Sequence, residues 1–152
     1  MKKQLLFLLF ALFFGVTNVW AADRDVFTAP VQVVKDGVTS TEIMQFRVID
    51  EQDRTCMVAS TYDDDTDIYS PAINNRIEGK LIVPEIVNGY TVTKLAAESF
   101  VDCHFSEIEL PNTISNIYYG AFDRCTLLQE IYLPNNVTEL EMLPLRVRLK
   151  PQ

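Results

Sequence analysis

Three short segments of this chain share one pattern, an alternating apolar strand closed by proline. They are Lys80-Leu81-Ile82-Val83-Pro84, Glu107-Ile108-Glu109-Leu110-Pro111 and Glu130-Ile131-Tyr132-Leu133-Pro134, the last two 23 positions apart. A branched apolar residue and then a second apolar position follow each proline: Ile114 with Ile117, Val137 with Leu140 and, after an insertion, Val92 with Leu95. Two units then run on to phenylalanine and cysteine, as Ser99-Phe100-Val101-Asp102-Cys103 and Ala121-Phe122-Asp123-Arg124-Cys125. One such unit is too small to bury its own apolar face, so the chain must fold by stacking successive units.

Stacking pairs the short strands as a parallel sheet with a spacing of about 4.8 Å and merges their inward residues into one core. Alternation then predicts Leu81, Val83, Ile108, Leu110, Ile131 and Leu133 inside, and Lys80, Ile82, Glu107, Glu109, Glu130 and Tyr132 outside. Each proline ends its strand because it has no N–H for the next ladder bond. Phe100 and Phe122 are expected to fill the opposite side, with Cys103 and Cys125 stacked near them.

The pattern resembles the BspA-type leucine-rich repeat, whose unit reads roughly apolar-x-apolar-Pro, spaced apolar residues, then Ala-Phe-x-x-Cys. Pro111-Asn112-Thr113-Ile114 through Gly120-Ala121-Phe122-Asp123-Arg124-Cys125 is similar to it throughout, and Asn88-Gly89-Tyr90 resembles an insertion common in that family's opening unit. The resemblance covers Gly79–Leu140, about 40% of the chain. Three departures are visible: the stretch after Cys103 is one residue short, Ser99 replaces alanine, and the third unit breaks down after Leu140. The resemblance implies a mainly β chain with an α/β-type repeat, built as a short right-handed solenoid of parallel strands. It further implies a secreted or surface protein of the kind made by host-associated anaerobic bacteria, where some members are linked to adhesion.

The flanks fit around this core. Met1–Gln4 carries Lys2 and Lys3, Leu5–Val16 is an apolar run, and Ala21-Ala22 supplies the small residues of a cleavage site. This is the order of a secretory signal, expected over 1–22. The run of about 12 apolar residues is short of the roughly 20 that span a bilayer, although an uncleaved anchor is the alternative. No cysteine lies near the cleavage point, so the expectation is an exported chain (secreted, periplasmic or at the cell surface) and not a lipoprotein. Residues 23–79 are expected to form an N-terminal strand and hairpin cap. Asp36-Gly37 between Val31–Val34 and Val38 marks a tight turn, and Phe46–Ile49 with Thr55–Val58 reads as a hairpin around Asp50–Arg54. Ala22–Thr28 reads as a loose leader. Residues 80–152 hold the repeats, and Leu145, Val147 and Leu149, alternating with Arg146, Arg148 and Lys150, read as a final edge strand. About two and a half units is close to the minimum for a stable stack, so a truncated fragment of a larger adhesin is a further reading.

Composition limits the function. The chain has 152 residues with 13 basic against 21 acidic side chains, a net charge of −8. Loss of Lys2 and Lys3 with the signal leaves 11 against 21, or −10. That balance argues against a nucleic-acid partner. The single histidine, His104, excludes chemistry that needs two imidazoles. Adjacent Cys103 and His104 rarely face one another as a nucleophile and base must, and a buried structural thiol is the favoured reading of Cys103. Cys56, Cys103 and Cys125 are an odd set, which leaves at least one thiol free; a Cys103–Cys125 bridge between neighbouring units is the one pairing to consider. Asp63, Asp65 and Asp67 have the spacing of the first calcium ligands of a loop, but Ile68 and Asn74 stand where glycine and an acid are required. A solvated acidic loop is the ordinary reading.

No cofactor and no catalytic residue are expected. The outward strip of Lys80, Ile82, Glu107, Glu109, Glu130 and Tyr132 is the candidate ligand-binding face, for a protein ligand such as a host matrix or cell-surface protein. The alternative is a structural subunit that pairs through the ends of its stack. The sequence leaves the oligomeric state open.

Overall fold

The computed structural model describes residues 25–141 and 148–151. The signal expected over 1–22 lies outside them, as do Leu145 and Val147.

Alternation shapes the first strands. Ala29, Val31 and Val33 of β1 (Val26–Lys35) are buried, whereas Thr28, Pro30 and Gln32 between them are exposed. β2 (Val38–Asp50) pairs antiparallel with β1 from Val26↔Arg47 to Lys35↔Val38. Asp36 and Gly37 between them have φ of 51° and 77°, the double left-handed geometry that lets a two-residue turn follow the sheet twist. β3 (Thr55–Val58) completes the meander, with Phe46↔Val58 and Val48↔Cys56 in register on β2. The leader expected to be loose is ordered from Val26, because Phe27 stacks on Phe46 at 5.6 Å and lies 5.8 Å from Tyr90. That apolar contact fastens the start of β1 to the sheet.

The repeat strands join both edges of this meander. On one side, β6 (Lys80–Ile82) pairs antiparallel with β1 through Gln32↔Ile82 and Val34↔Lys80, and β9 (Glu107–Glu109) pairs parallel with β6 through Lys80↔Glu107 and Ile82↔Glu109. On the other, β8 (Tyr90–Leu95) runs parallel to β3 and β10 (Asn116–Ile117) parallel to β8. β12 (Glu139–Leu140) extends that row, which sets Leu95, Ile117 and Leu140 in line. β7 (Ile86–Val87) forms a small hairpin with β8. The result is one mixed sheet of nine strands, while β11 (Glu130–Leu133) pairs parallel with β13 (Arg148–Pro151) in a separate two-stranded sheet. A third sheet holds only β4 (Thr61–Asp63) and β5 (Ile68–Ser70).

Among the described residues the chain is strand and turn with no helix, so the α/β-type repeat reduces to a β-and-turn repeat. The segments after Leu95 and Ile117 fold as successive turns, with bonds such as Val101 N to Glu98 O (3.1 Å) and Asp123 N to Gly120 O (2.8 Å). Positive φ at Glu98, Asp102 and Arg124 interrupts any helical run. Alternate amides of one unit then donate to the next: Glu98 to Tyr119 O, Phe100 to Ala121 O and Asp102 to Asp123 O, at 2.9–3.1 Å. Units are thus bonded on the turn side as well as through their strands.

The core lies between these walls. Leu81, Ile108 and Ile131 come from the strand side, Leu95, Ile114 and Ile117 from the middle, and Phe100, Phe105 and Phe122 from the turns. The Phe100 and Phe122 rings stack at 5.5 Å and 18°, and Phe105 meets Phe100 edge-on. Ser99, at the position where the next unit has Ala121, is fully buried with its hydroxyl unpartnered.

Candidate functional site

β6, β9 and β11 turn Leu81, Ile108 and Ile131 inward, so the residues between them must face away from the core. Lys80, Ile82, Glu107, Glu109, Glu130 and Tyr132 all do, and Tyr132 is 45% exposed. The Lys80 ammonium sits between two carboxylates of β9, 2.7 Å from Glu109 and 3.2 Å from Glu107. Glu109, and after it Glu107, raises the pKa of that lysine. Glu130 is bound by Lys150 of β13 at 2.7 Å, and the same ammonium lies 5.6 Å from the centre of the Tyr132 ring. Sequence reading placed the three glutamates in one acidic strip. The structure interleaves them with two lysines, one of which, Lys150, was not expected at the site.

The second departure concerns Glu107 and Glu130. The expected column puts one directly over the other, which repels. β11 comes within 8 Å of β9 between Cα atoms, yet no ladder joins them among the described residues. β11 pairs instead with β13, which delivers Lys150 to Glu130. Between β9 and β11 lies a cleft of about 470 Å³ lined by Ser106, Glu107, Leu127, Gln129, Glu130 and Tyr132. A second hollow of about 490 Å³ shares Ser106, Glu107 and Leu127 and extends towards Lys35, Glu78 and His104. Leu127 is 47% exposed.

The face also reaches beyond the repeats. The β1–β6 register sets Gln32 beside Ile82 and Val34 beside Lys80, and the β1–β2 register brings Thr41 and Thr39 next to them. Alternation within β1 reveals which of its residues point outward. It does not reveal that β1 borders β6, because that pairing joins segments far apart in sequence.

The other candidates are placed as follows. Cys56, Cys103 and Cys125 are all buried and unbridged. Burial raises the thiols of Cys56 to about 11 and Cys125 to about 12, and pushes that of Cys103 up as well. Cys125 Sγ donates to Phe100 O at 2.9 Å. His104 is exposed and holds the carbonyl oxygen of Asn75 with Nδ1 at 2.8 Å, while the Cys103 side chain packs in the core. Asp63, Asp65 and Asp67 do not gather into a cation site. Asp63 Oδ1 accepts the N–H groups of Asp65 (2.9 Å) and Thr66 (3.2 Å), and Asp67 accepts the Tyr62 hydroxyl. Among the described residues no three His, Cys, Asp or Glu side chains are grouped to hold a metal, and no helix is long and apolar enough to cross a membrane.

Comparison with known proteins gives one positive result. Residues 79–143 match the family described as the BspA type leucine rich repeat region (6 copies). No curated protein and no solved structure matches the chain. The matched stretch begins at the glycine that leads into β6 and takes in β6 to β12, so this part of the chain is similar to the BspA-type leucine-rich repeat.

Proposed function

We propose that the chain is an exported, non-catalytic binding module. Residues 79–141 form a short right-handed solenoid, the β1–β2–β3 meander is its N-terminal cap, and the outward face of β6, β9 and β11 takes a protein ligand. Lys80, Ile82, Glu107, Glu109, Glu130 and Tyr132 are the contact residues. The observation that carries this reading is their common orientation on neighbouring strands beside a cleft, with an exposed aromatic at one end. Exposed aromatics are over-represented where binding energy concentrates. Similarity of residues 79–143 to the BspA-type leucine-rich repeat supports a protein-interaction role. The partner is a matrix or cell-surface protein outside the cytoplasm, and no cofactor takes part.

A photo-reactive amino acid at Glu109 tests this, with the same group at Asp123 on the turn side as the control. The expected result is one cross-linked protein from the Glu109 position, lost on competition with unlabelled chain and in a Tyr132→Ala background. Equal yields from Glu109 and Asp123 would remove the face from the argument. Self-association is the second reading, favoured by Leu140, which is 40% exposed on β12 at the end of the main sheet. A concentration-dependent mass in light scattering that Leu140→Lys abolishes would establish it.

A further inference from the structure

The β4–β5 hairpin stands apart from everything described so far. Every residue from Thr61 to Ser70 is exposed, and the two strands pair only with each other. Its base is fixed. Gln45 Nε2 reaches Thr61 Oγ1 at 2.9 Å, Gln45 N donates to Ala72 O at 2.7 Å, and Ser60 Oγ donates to Ala97 O at 2.7 Å. Beyond that base the arm buries nothing among the described residues, although it carries Tyr62, Ile68 and Tyr69 at 43%, 58% and 37% exposure. A free two-stranded hairpin is at best marginally stable in water, and three large apolar side chains on such an arm contribute nothing to the core.

The register arranges these side chains. Tyr62 and Tyr69 are directly opposite each other, with ring centres 4.7 Å apart, so they share one face of the hairpin. Asp67 accepts the Tyr62 hydroxyl beside them, and Asp63, Asp64 and Asp65 complete the turn. Four carboxylates on a turn are ordinary in themselves. A paired aromatic surface bordered by them is a recognisable ligand environment, because ring faces and carboxylates both attract a cationic side chain. A second copy of the chain is a poor occupant, since docking arm to arm would bring two acidic turns together.

We infer that the β4–β5 arm is a second docking site, separate from the repeat face, and that its Tyr62–Tyr69 face takes a lysine- and arginine-bearing segment of a partner protein. The aromatic pair supplies contact area, and Asp64, Asp65 and Asp67 select positive charge. Binding therefore weakens with salt, and its specificity depends on the tyrosines.

Amide chemical-shift titration of the full chain with a ten-residue peptide of alternating arginine and glycine tests the inference, with a glutamine-for-arginine peptide as control. The expected shifts fall within residues 60–72 and are absent with the control. Tyr62→Ser/Tyr69→Ser is expected to weaken binding at least tenfold. Asp64→Asn/Asp65→Asn, which keeps the aromatic pair, is expected to weaken it several-fold and flatten its salt dependence. Shifts spread over all acidic surfaces, or equal affinity in the tyrosine variant, would overturn the assignment. A third variant that replaces Thr61–Ser70 with a short glycine linker keeps the test independent of arm folding. It should retain the wild-type melting temperature within a few degrees and lose the peptide, and retained binding would contradict the inference. Cross-linking from Glu109 is expected to be unaffected by all three variants, so this site and the repeat face fail or stand separately.

Discussion

Gly79 sits where the meander meets the first repeat strand, and replacing it tests that junction. Its φ is +93°, and a Cβ there would run into the carbonyl oxygen of Val34 and come within 3.1 Å of the Lys35 backbone. Gly79 O also accepts the N–H groups of Ser106 (2.9 Å) and Glu107 (3.2 Å), which ties the same point to the start of β9. Gly79→Ala therefore carries the left-handed penalty of roughly 1–2 kcal/mol. The clash is with backbone, so relief requires β1 and β6 to part near Val34↔Lys80, at about 1 kcal/mol for each weakened hydrogen bond. The total is about 3 kcal/mol. Gly37→Ala is the internal control, because Gly37 has φ +77° with nothing within 4 Å of its added Cβ, which leaves only the conformational cost of about 1 kcal/mol. Urea unfolding followed by circular dichroism should place the two variants about 2 kcal/mol apart. In thermal melts that corresponds to a gap of roughly 4–8 °C for a chain of this size. Equal losses in both variants, or a Gly79→Ala protein within 0.5 kcal/mol of Gly37→Ala (about the additivity error of such comparisons), would refute the close approach of β1 to β6.

Three further outcomes follow from the packing and the ion pairs. Phe122→Ala removes a fully buried ring stacked on Phe100 and should cost about 3–5 kcal/mol, read by the same urea assay. The three cysteines of the chain are buried with raised thiol pKa values, so Ellman's reagent at pH 8 should find no reactive thiol in the native state and three after denaturation. Arg124 bonds Asp102 of the neighbouring unit at 2.7 and 2.9 Å and holds that carboxyl below its ordinary range. Both side chains are about half exposed, so the pair is worth less than about 1 kcal/mol. A lowered folded pKa makes this contribution complete above roughly pH 4 and removes it as pH falls through the folded value. Arg124→Gln should therefore be slightly less stable than wild type at pH 7, and the two should converge as pH falls below the lowered pKa of Asp102.

The sequence is most legible where a residue's environment depends on its own neighbours. Alternation in Glu107–Leu110 and Glu130–Leu133 told inside from outside, and the Phe-x-x-Cys spacing anticipated the Phe100–Phe122 stack. Asp36-Gly37 announced its turn because few residues accept positive φ at both positions. What remained hidden depends on contacts between distant segments. β10 and β12 are two residues each, too short for any period to show, and they are strands only because Leu95 offers a paired edge. Val26–Thr28 looked loose because nothing nearby in sequence announces that Phe27 meets Phe46 and Tyr90. Lys150 was read as part of an edge that discourages stacking, whereas its ammonium neutralises Glu130. The β4–β5 arm was masked by its own acidity: the run Asp63–Asp67 drew attention to metal binding and away from the tyrosines on either side.

We propose that the strand face of the repeats is the surface that binds protein. Hydrogen-exchange footprinting of the complex with the partner trapped from Glu109 tests it most directly. Slowed exchange is expected in Lys80–Ile82, Glu107–Glu109 and Glu130–Leu133, with the turns around Glu98–Asp102 and Gly120–Arg124 unchanged. Protection confined to those turns, with the three strands exchanging as in the free chain, would contradict it.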